Sequence, residues 1–200
     1  MRRWTTFTEY FEGIEEFRVL DLGGTLRSWE QSPRMPHHLT ILNLDAVEGE
    51  TKVGACSVHH VVGDACDVPL DLKFENFDLV YSNSVIEHVG GHAQRLAFAD
   101  TVRSAAPRCW VQTPYRYFPI EPHFAFPAAQ FLPLAARAYL AQKWPLSFVR
   151  TPSRLSAISA TQEIELLTIT DMRAYFPDAA VVLERIFGVP KSIVMVRDQD

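Results

Sequence analysis

The sequence predicts an α/β fold: a doubly wound, mostly parallel sheet of seven strands whose last strand runs antiparallel. Three observations carry this. Short apolar runs recur between turn residues, helical patterns separate several of them, and two β-rich runs joined through a glycine and a proline close the chain. With 200 residues, 48% of them apolar, and a formal charge of −5, the chain is long enough to enclose a substantial core and too apolar for intrinsic disorder. No overall basic field exists to neutralise phosphates, which argues against non-specific nucleic-acid binding.

The elements follow in order. Residues 7–16 are helical in pattern and precede strand one, Phe17-Arg-Val-Leu-Asp-Leu22, which Gly23-Gly24 stops. Leu39-Thr-Ile-Leu-Asn-Leu44 is strand two and Val58-His-His-Val-Val62 strand three. Only a short interval containing Gly49 and Gly54 separates them, so the helix there is short or missing. Phe77-Asp-Leu-Val-Tyr81 and Arg108-Cys-Trp-Val-Gln112 are strands four and five, with a helix over 93–106 between them. A short helix near 171–176, with Asp171 as its N-cap, leads to strands at 180–187 and 191–197 joined by Gly188-Val189-Pro190.

Charge is unevenly distributed. Residues 101–160 carry seven bases against one acid, Glu121, whereas residues 1–100 carry 8 bases against 16 acids. The same block holds 8 of the 13 prolines, and it reads as a substrate-facing part of one domain. A single domain spanning 1–200, with 114–160 as a helical, Pro- and aromatic-rich cover, is therefore expected. Cys56, Cys66 and Cys109 are an odd set without a CxxC, which fits a reducing compartment. The opening MRRWTTFTEYFEG has no apolar core of a signal peptide, and no stretch reaches the length of a membrane span, so a cytoplasmic location is expected.

In an open parallel sheet, ligands bind beyond the carboxyl ends of the strands. There the chain reads Asp21-Leu-Gly-Gly24, Asn43-Leu-Asp45, Gly63-Asp-Ala65 and, most specifically, Phe77-Asp-Leu-Val-Tyr-Ser-Asn-Ser-Val-Ile-Glu-His88. Over residues 15–115 this order resembles the class I S-adenosylmethionine-dependent methyltransferases, particularly their small-molecule (type 11-like) branch. The resemblance implies a Rossmann-like sheet, S-adenosylmethionine as cofactor, and methyl transfer to a small acceptor. Asp21, Gly23 and Gly24 match the cofactor loop, and Asn43 or Asp45 the ribose position. Asp64 and Ala65 match the adenine position, and Ser82 is grouped with them as a cofactor contact at the end of strand four. The family's loop has the form Asp-x-Gly-x-Gly-x-Gly, whereas this chain continues Thr25-Leu-Arg-Ser-Trp29. Either the loop is rebuilt, with Arg27 meeting the cofactor carboxylate, or the chain is a catalytically inactive binding or scaffold protein on the same fold. A missing Gly-x-Gly-x-x-Gly argues against a nicotinamide oxidoreductase.

A base is needed only if the acceptor has a proton to lose. The candidates are His88, Tyr115, Tyr117, Glu121 and His123, with His123 beside Glu121 a carboxylate-tuned base; packing roles are the alternative for the two tyrosines and for His123. His88 and His92 are four apart, but Gly90-Gly91 breaks helical geometry and no third ligand is obvious, so no metal is expected. His37-His38 and His59-His60 receive no role. The apolar, base-bordered stretch 124–150 reads as a helical cover or homodimer interface, or as a lid or peripheral membrane surface, which suggests an apolar or lipid-like acceptor.

Overall fold

A computed structural model describes residues 2–45, 47–73 and 75–198. Helix α1 (Arg2–Tyr10) and a single 3-10 turn at Ile14–Glu16 lead into β1 (Arg18–Leu22). The short α2 (Leu26–Trp29) separates β1 from β2 (His38–Asn43), and β3 (Gly49–Val53) forms a hairpin with β4 (Cys56–Val62). Then come α3 (Leu70–Lys73), β5 (Leu79–Asn83), α4 (His92–Ala105) and β6 (Arg108–Pro114). The minimal pair β7 (Ile120–Glu121) and β8 (Phe126–Pro127) is followed by α5 (Leu134–Lys143) and α6 (Arg154–Gln162). The chain returns through α7 (Ile169–Tyr175) to the hairpin β9 (Ala180–Ile186) and β10 (Val189–Arg197).

The main sheet runs β3-β4-β2-β1-β5-β6-β10-β9. Its β4-β2-β1-β5-β6 centre is parallel, while β10 lies antiparallel to both β6 and β9. The sheet thus has eight strands, one more than expected. The additional one is β3, a polar edge strand exposed along most of its length, and so without the apolar run by which a buried strand is recognised. Three further expectations are corrected. Regular helix at the start spans Arg2–Tyr10. Thr168, not Asp171, caps α7, and Asp171 completes a reciprocal capping box at the third helical position. The closing turn is Phe187-Gly188, both with positive φ, as a two-residue hairpin connection requires.

Side chains alternate across the sheet. Leu20, Leu22 and Val80 bury against Phe98 and Val102 of α4 and Met172 of α7. On the other face, Val19, Tyr81 and Trp110 meet an aromatic layer of Trp4, Phe7, Phe11 and Trp29. A smaller cluster around Phe124, Ala138, Leu140 and Ala157 joins α5 to α6 in the segment after β6. No helix among the described residues is long and apolar enough to cross a membrane.

Candidate active site

The chain runs outward from β1 through β2 to β4 in one direction, and from β5 to β6 in the other. The loops after β1, β2, β4 and β5 therefore diverge at the switch between β1 and β5. They enclose a cleft of about 510 Å³, lined by Gly23, Gly24, Asn43, Asp45, Asp64, Ala65 and His88, with Thr25, Leu26, Leu44, His60, Val85 and Val89 among the others. That volume lies within the roughly 300–1,000 Å³ common for small-molecule sites.

The loop after β1 is organised around Asp21 and Trp29. Asp21 is fully buried, and its Oδ2 accepts a 2.7 Å bond from Trp29 Nε1, while Oδ1 has no partner. Burial pushes its pKa up to about 7. Gly24 passes directly over this carboxylate: a Cβ there would lie 1.7 Å from Oδ2. Gly23 adopts φ +78°, and a Cβ on it would meet Val85 at 2.5 Å. Thr25 caps α2, whose end places Trp29 in the aromatic layer. The chain thus replaces further glycines with a capped helical turn anchored by an indole. Arg27 is exposed and does not line the cleft, so its expected meeting with a cofactor carboxylate has no support in its position.

The remaining strand ends are similarly constrained. Asn43 Nδ2 donates to the Gly24 carbonyl at 2.6 Å, so this side chain braces the loop and leaves exposed Asp45 as the acid on the cleft wall. Asp64 accepts from the Cys66 amide at 2.8 Å, a local turn that holds its carboxylate at the cleft. Ser82 is corrected to a structural role: it is fully buried, donates to the Leu22 carbonyl at 3.0 Å, and lies off the cleft. His60, given no role from sequence, stands on the cleft wall.

A chain of titratable groups adjoins the cleft at His88. His88 Nε2 and His123 Nε2 are 3.0 Å apart, and His123 Nδ1 donates to Glu121 Oε1 at 2.7 Å. The other oxygen of buried Glu121 accepts from the Phe124 amide at 2.8 Å. In the tautomer where His123 donates Nδ1–H to Glu121 and leaves Nε2 bare, that Nε2 accepts from His88 Nε2–H, and His88 Nδ1 is then the base. Desolvation, together with the adjacent His123, lowers the His88 pKa to about 4, although the residue is exposed overall. Glu87 lies behind this chain, with Oε2 accepting from Thr113 Oγ1 at 2.9 Å and Oε1 unpartnered; burial raises its pKa to about 7. Ligand atoms of Glu87, His88 and His123 fall within 4.8 Å of one another, a spacing that could hold a metal ion. This third donor comes from a distant segment, and His92, the partner considered from sequence, instead bonds Tyr175 at 2.9 Å.

Tyr115 and Tyr117 line neither this cleft nor its neighbour. The Tyr115 ring packs on the core and against Tyr117, and Tyr117, 57% exposed, stacks on Phe131. Packing is the role their positions support. Beside Glu121 lies a second cavity of about 400 Å³ between the segment after β6 and residues 164–166.

No protein-family model matches the chain, and no curated protein matches it by sequence. Solved structures do match in fold. The N-terminal domain of EvdMO1 with SAH bound is 17% identical with a TM-score of 0.55, covering 100% of this chain and 80% of that one. A SAM-dependent methyltransferase from Anabaena variabilis is 11% identical with a TM-score of 0.55, covering 98% and 83%. A Rhodobacter sphaeroides structure described as a putative Zn-dependent alcohol dehydrogenase is 13% identical with a TM-score of 0.58, covering 98% and 87%. At these identities the likeness concerns architecture: the chain has the Rossmann-like fold of class I methyltransferases.

Proposed function

We propose that the protein transfers a methyl group from S-adenosylmethionine to a hydroxyl of a small polar molecule. The observation that carries the reading is the cleft itself. Two glycines leave space that no side chain could share, and acids stand after β2 and β4 at the switch point of the sheet. S-adenosylmethionine, when bound, supplies a methyl group on a positively charged sulfur. In this reading the Gly23–Leu26 backbone holds its amino-acid end, Asp45 the ribose hydroxyls, and Asp64 with the Ala65 amide the adenine edge.

His88 then removes the acceptor's proton. Its Nδ1 would take the hydroxyl proton as that oxygen accepts the methyl group, the chemistry S-adenosylmethionine would supply when bound. Glu121 stabilises the resulting imidazolium through His123, so the positive charge is not left isolated. Holding the acceptor in line supplies much of the remaining acceleration. The neighbouring cavity has charged walls, which supports a polar acceptor over the lipid-like one expected from sequence.

The test is transfer of tritium from methyl-labelled S-adenosylmethionine into fractionated small-molecule extracts. Label in a small-molecule fraction, lost with His88→Ala, is the expected result. Binding of S-adenosylhomocysteine with no labelled fraction would instead support the non-catalytic binding protein.

A further inference from the structure

We infer that the second cavity binds the oxyanion of the acceptor, a carboxylate or phosphate, between Arg116 and Arg137. The cavity, about 400 Å³, is walled by these two arginines together with Glu121, Gln130, Glu165 and Leu166. Both of its carboxylates are already engaged. Glu121 is used by His123 and the Phe124 amide, and Glu165 pairs with Arg95 at 2.6 Å.

The guanidiniums are not matched in the same way. Arg137 makes no hydrogen bond or ion pair among the described residues, and its Nε is buried without a partner. Arg116 has one long contact from Nη1, 3.5 Å to the Leu166 carbonyl, and no ion pair among the described residues. Gln130 is locked by its amide, which donates to the Arg116 and Phe118 carbonyls at 2.8 and 3.0 Å. Its buried Oε1 is left without a donor. Two under-used guanidiniums favour an oxyanion, which can accept several of their N–H groups at once, and a protonated or hydroxylated edge of the same ligand would serve Gln130.

The cavity adjoins the proposed reaction point through Glu121, the residue that also ends the histidine chain. Its second wall is tied there too, because the Glu165 amide donates to the Glu87 carbonyl at 3.0 Å. An anionic head held between Arg116 and Arg137 would therefore seat the acceptor on the Glu121 side of the histidine chain. This placement gives the basic block of residues 101–160 a purpose beyond solubility. What the oxyanion belongs to rests on the proposed methyl transfer, whereas anion binding stands on the cavity alone.

Calorimetric titration with benzoate and with phenyl phosphate, each with and without S-adenosylhomocysteine, tests it. At least one probe should bind the wild type. Arg137→Gln and Arg116→Gln should each weaken it about tenfold or more, as expected for loss of a charge-assisted contact. Preference for one probe assigns carboxylate or phosphate, and unchanged S-adenosylhomocysteine affinity shows that each variant is folded. Absence of binding by either probe at millimolar concentration overturns the inference, as does equal affinity in wild type and variants. Probe binding without any S-adenosylhomocysteine binding would retain the anion site and reject the methyl-transfer reading.

Discussion

Replacing Gly24 with alanine should disable the cleft and destabilise the fold together. The new Cβ would stand 1.7 Å from Asp21 Oδ2 and 2.3 Å from its Cγ, well inside any non-bonded contact. Asp21 cannot retreat, because it is fully buried and bonded to Trp29, which is itself fully buried in the aromatic layer. The loop must therefore lift, carrying the Gly24 carbonyl away from Asn43 Nδ2, now 2.6 Å distant. Overpacking of about 1–3 kcal/mol and a lost hydrogen bond of about 1 kcal/mol give an expected destabilisation of about 2–4 kcal/mol. Gly49→Ala is the control, since nothing lies within 4 Å of its added Cβ; its effect should stay within about 0.5 kcal/mol. Urea denaturation reads stability, and titration with S-adenosylhomocysteine should show affinity for Gly24→Ala reduced about tenfold or more. If Gly24→Ala matches Gly49→Ala in both measurements, Gly24 does not lie against the Asp21 carboxylate.

The buried acids give a pH signature. Burial lifts the folded pKa of Asp21 to about 7, well above the ordinary carboxyl range, so the fold holds its proton where the unfolded chain releases it. Its contribution is fully present below about pH 4 and declines as pH rises to about 7, by on the order of 4 kcal/mol. Asp21→Asn should flatten the stability profile in that window by denaturation; identical slopes for variant and wild type would contradict the assignment. Asp64→Asn, which keeps an oxygen for the Cys66 amide, should weaken S-adenosylhomocysteine about tenfold by calorimetry, and no change would remove Asp64 from adenine recognition. Once an acceptor is found, the proton chain predicts that EDTA-treated protein keeps its methylation rate and that His123→Ala lowers kcat more than KM. Loss of rate on EDTA treatment, restored by a divalent ion, would assign Glu87, His88 and His123 to metal binding instead.

Much of the cleft was legible because its parts sit immediately after apolar runs, where local sequence fixes the strand end. Gly23, Gly24, Asp45, Asp64 and Ala65 all reach one wall by that logic. Ser82 shows its limit: strand position alone did not say that its hydroxyl would be taken by the Leu22 carbonyl. The conformation of the glycine-poor loop depends on Trp29 reaching back to Asp21, a pairing set by packing against Trp4 and Tyr81 that no local sequence pattern reveals. β3 was missed because an exposed edge strand has no burial pattern, and His60 because a strand pair of histidines does not reveal which ring meets a cleft. Arg116, Arg137 and Glu165 meet through long-range packing of three segments, and their charges gave only a regional bias in the sequence.

The proposed function requires that the cleft between the β1, β2, β4 and β5 loops hold S-adenosylmethionine. Calorimetric titration of the wild-type protein with S-adenosylhomocysteine tests it most directly. Saturable one-to-one binding that also raises the thermal midpoint is the expected result. No heat and no thermal shift at millimolar ligand would contradict it.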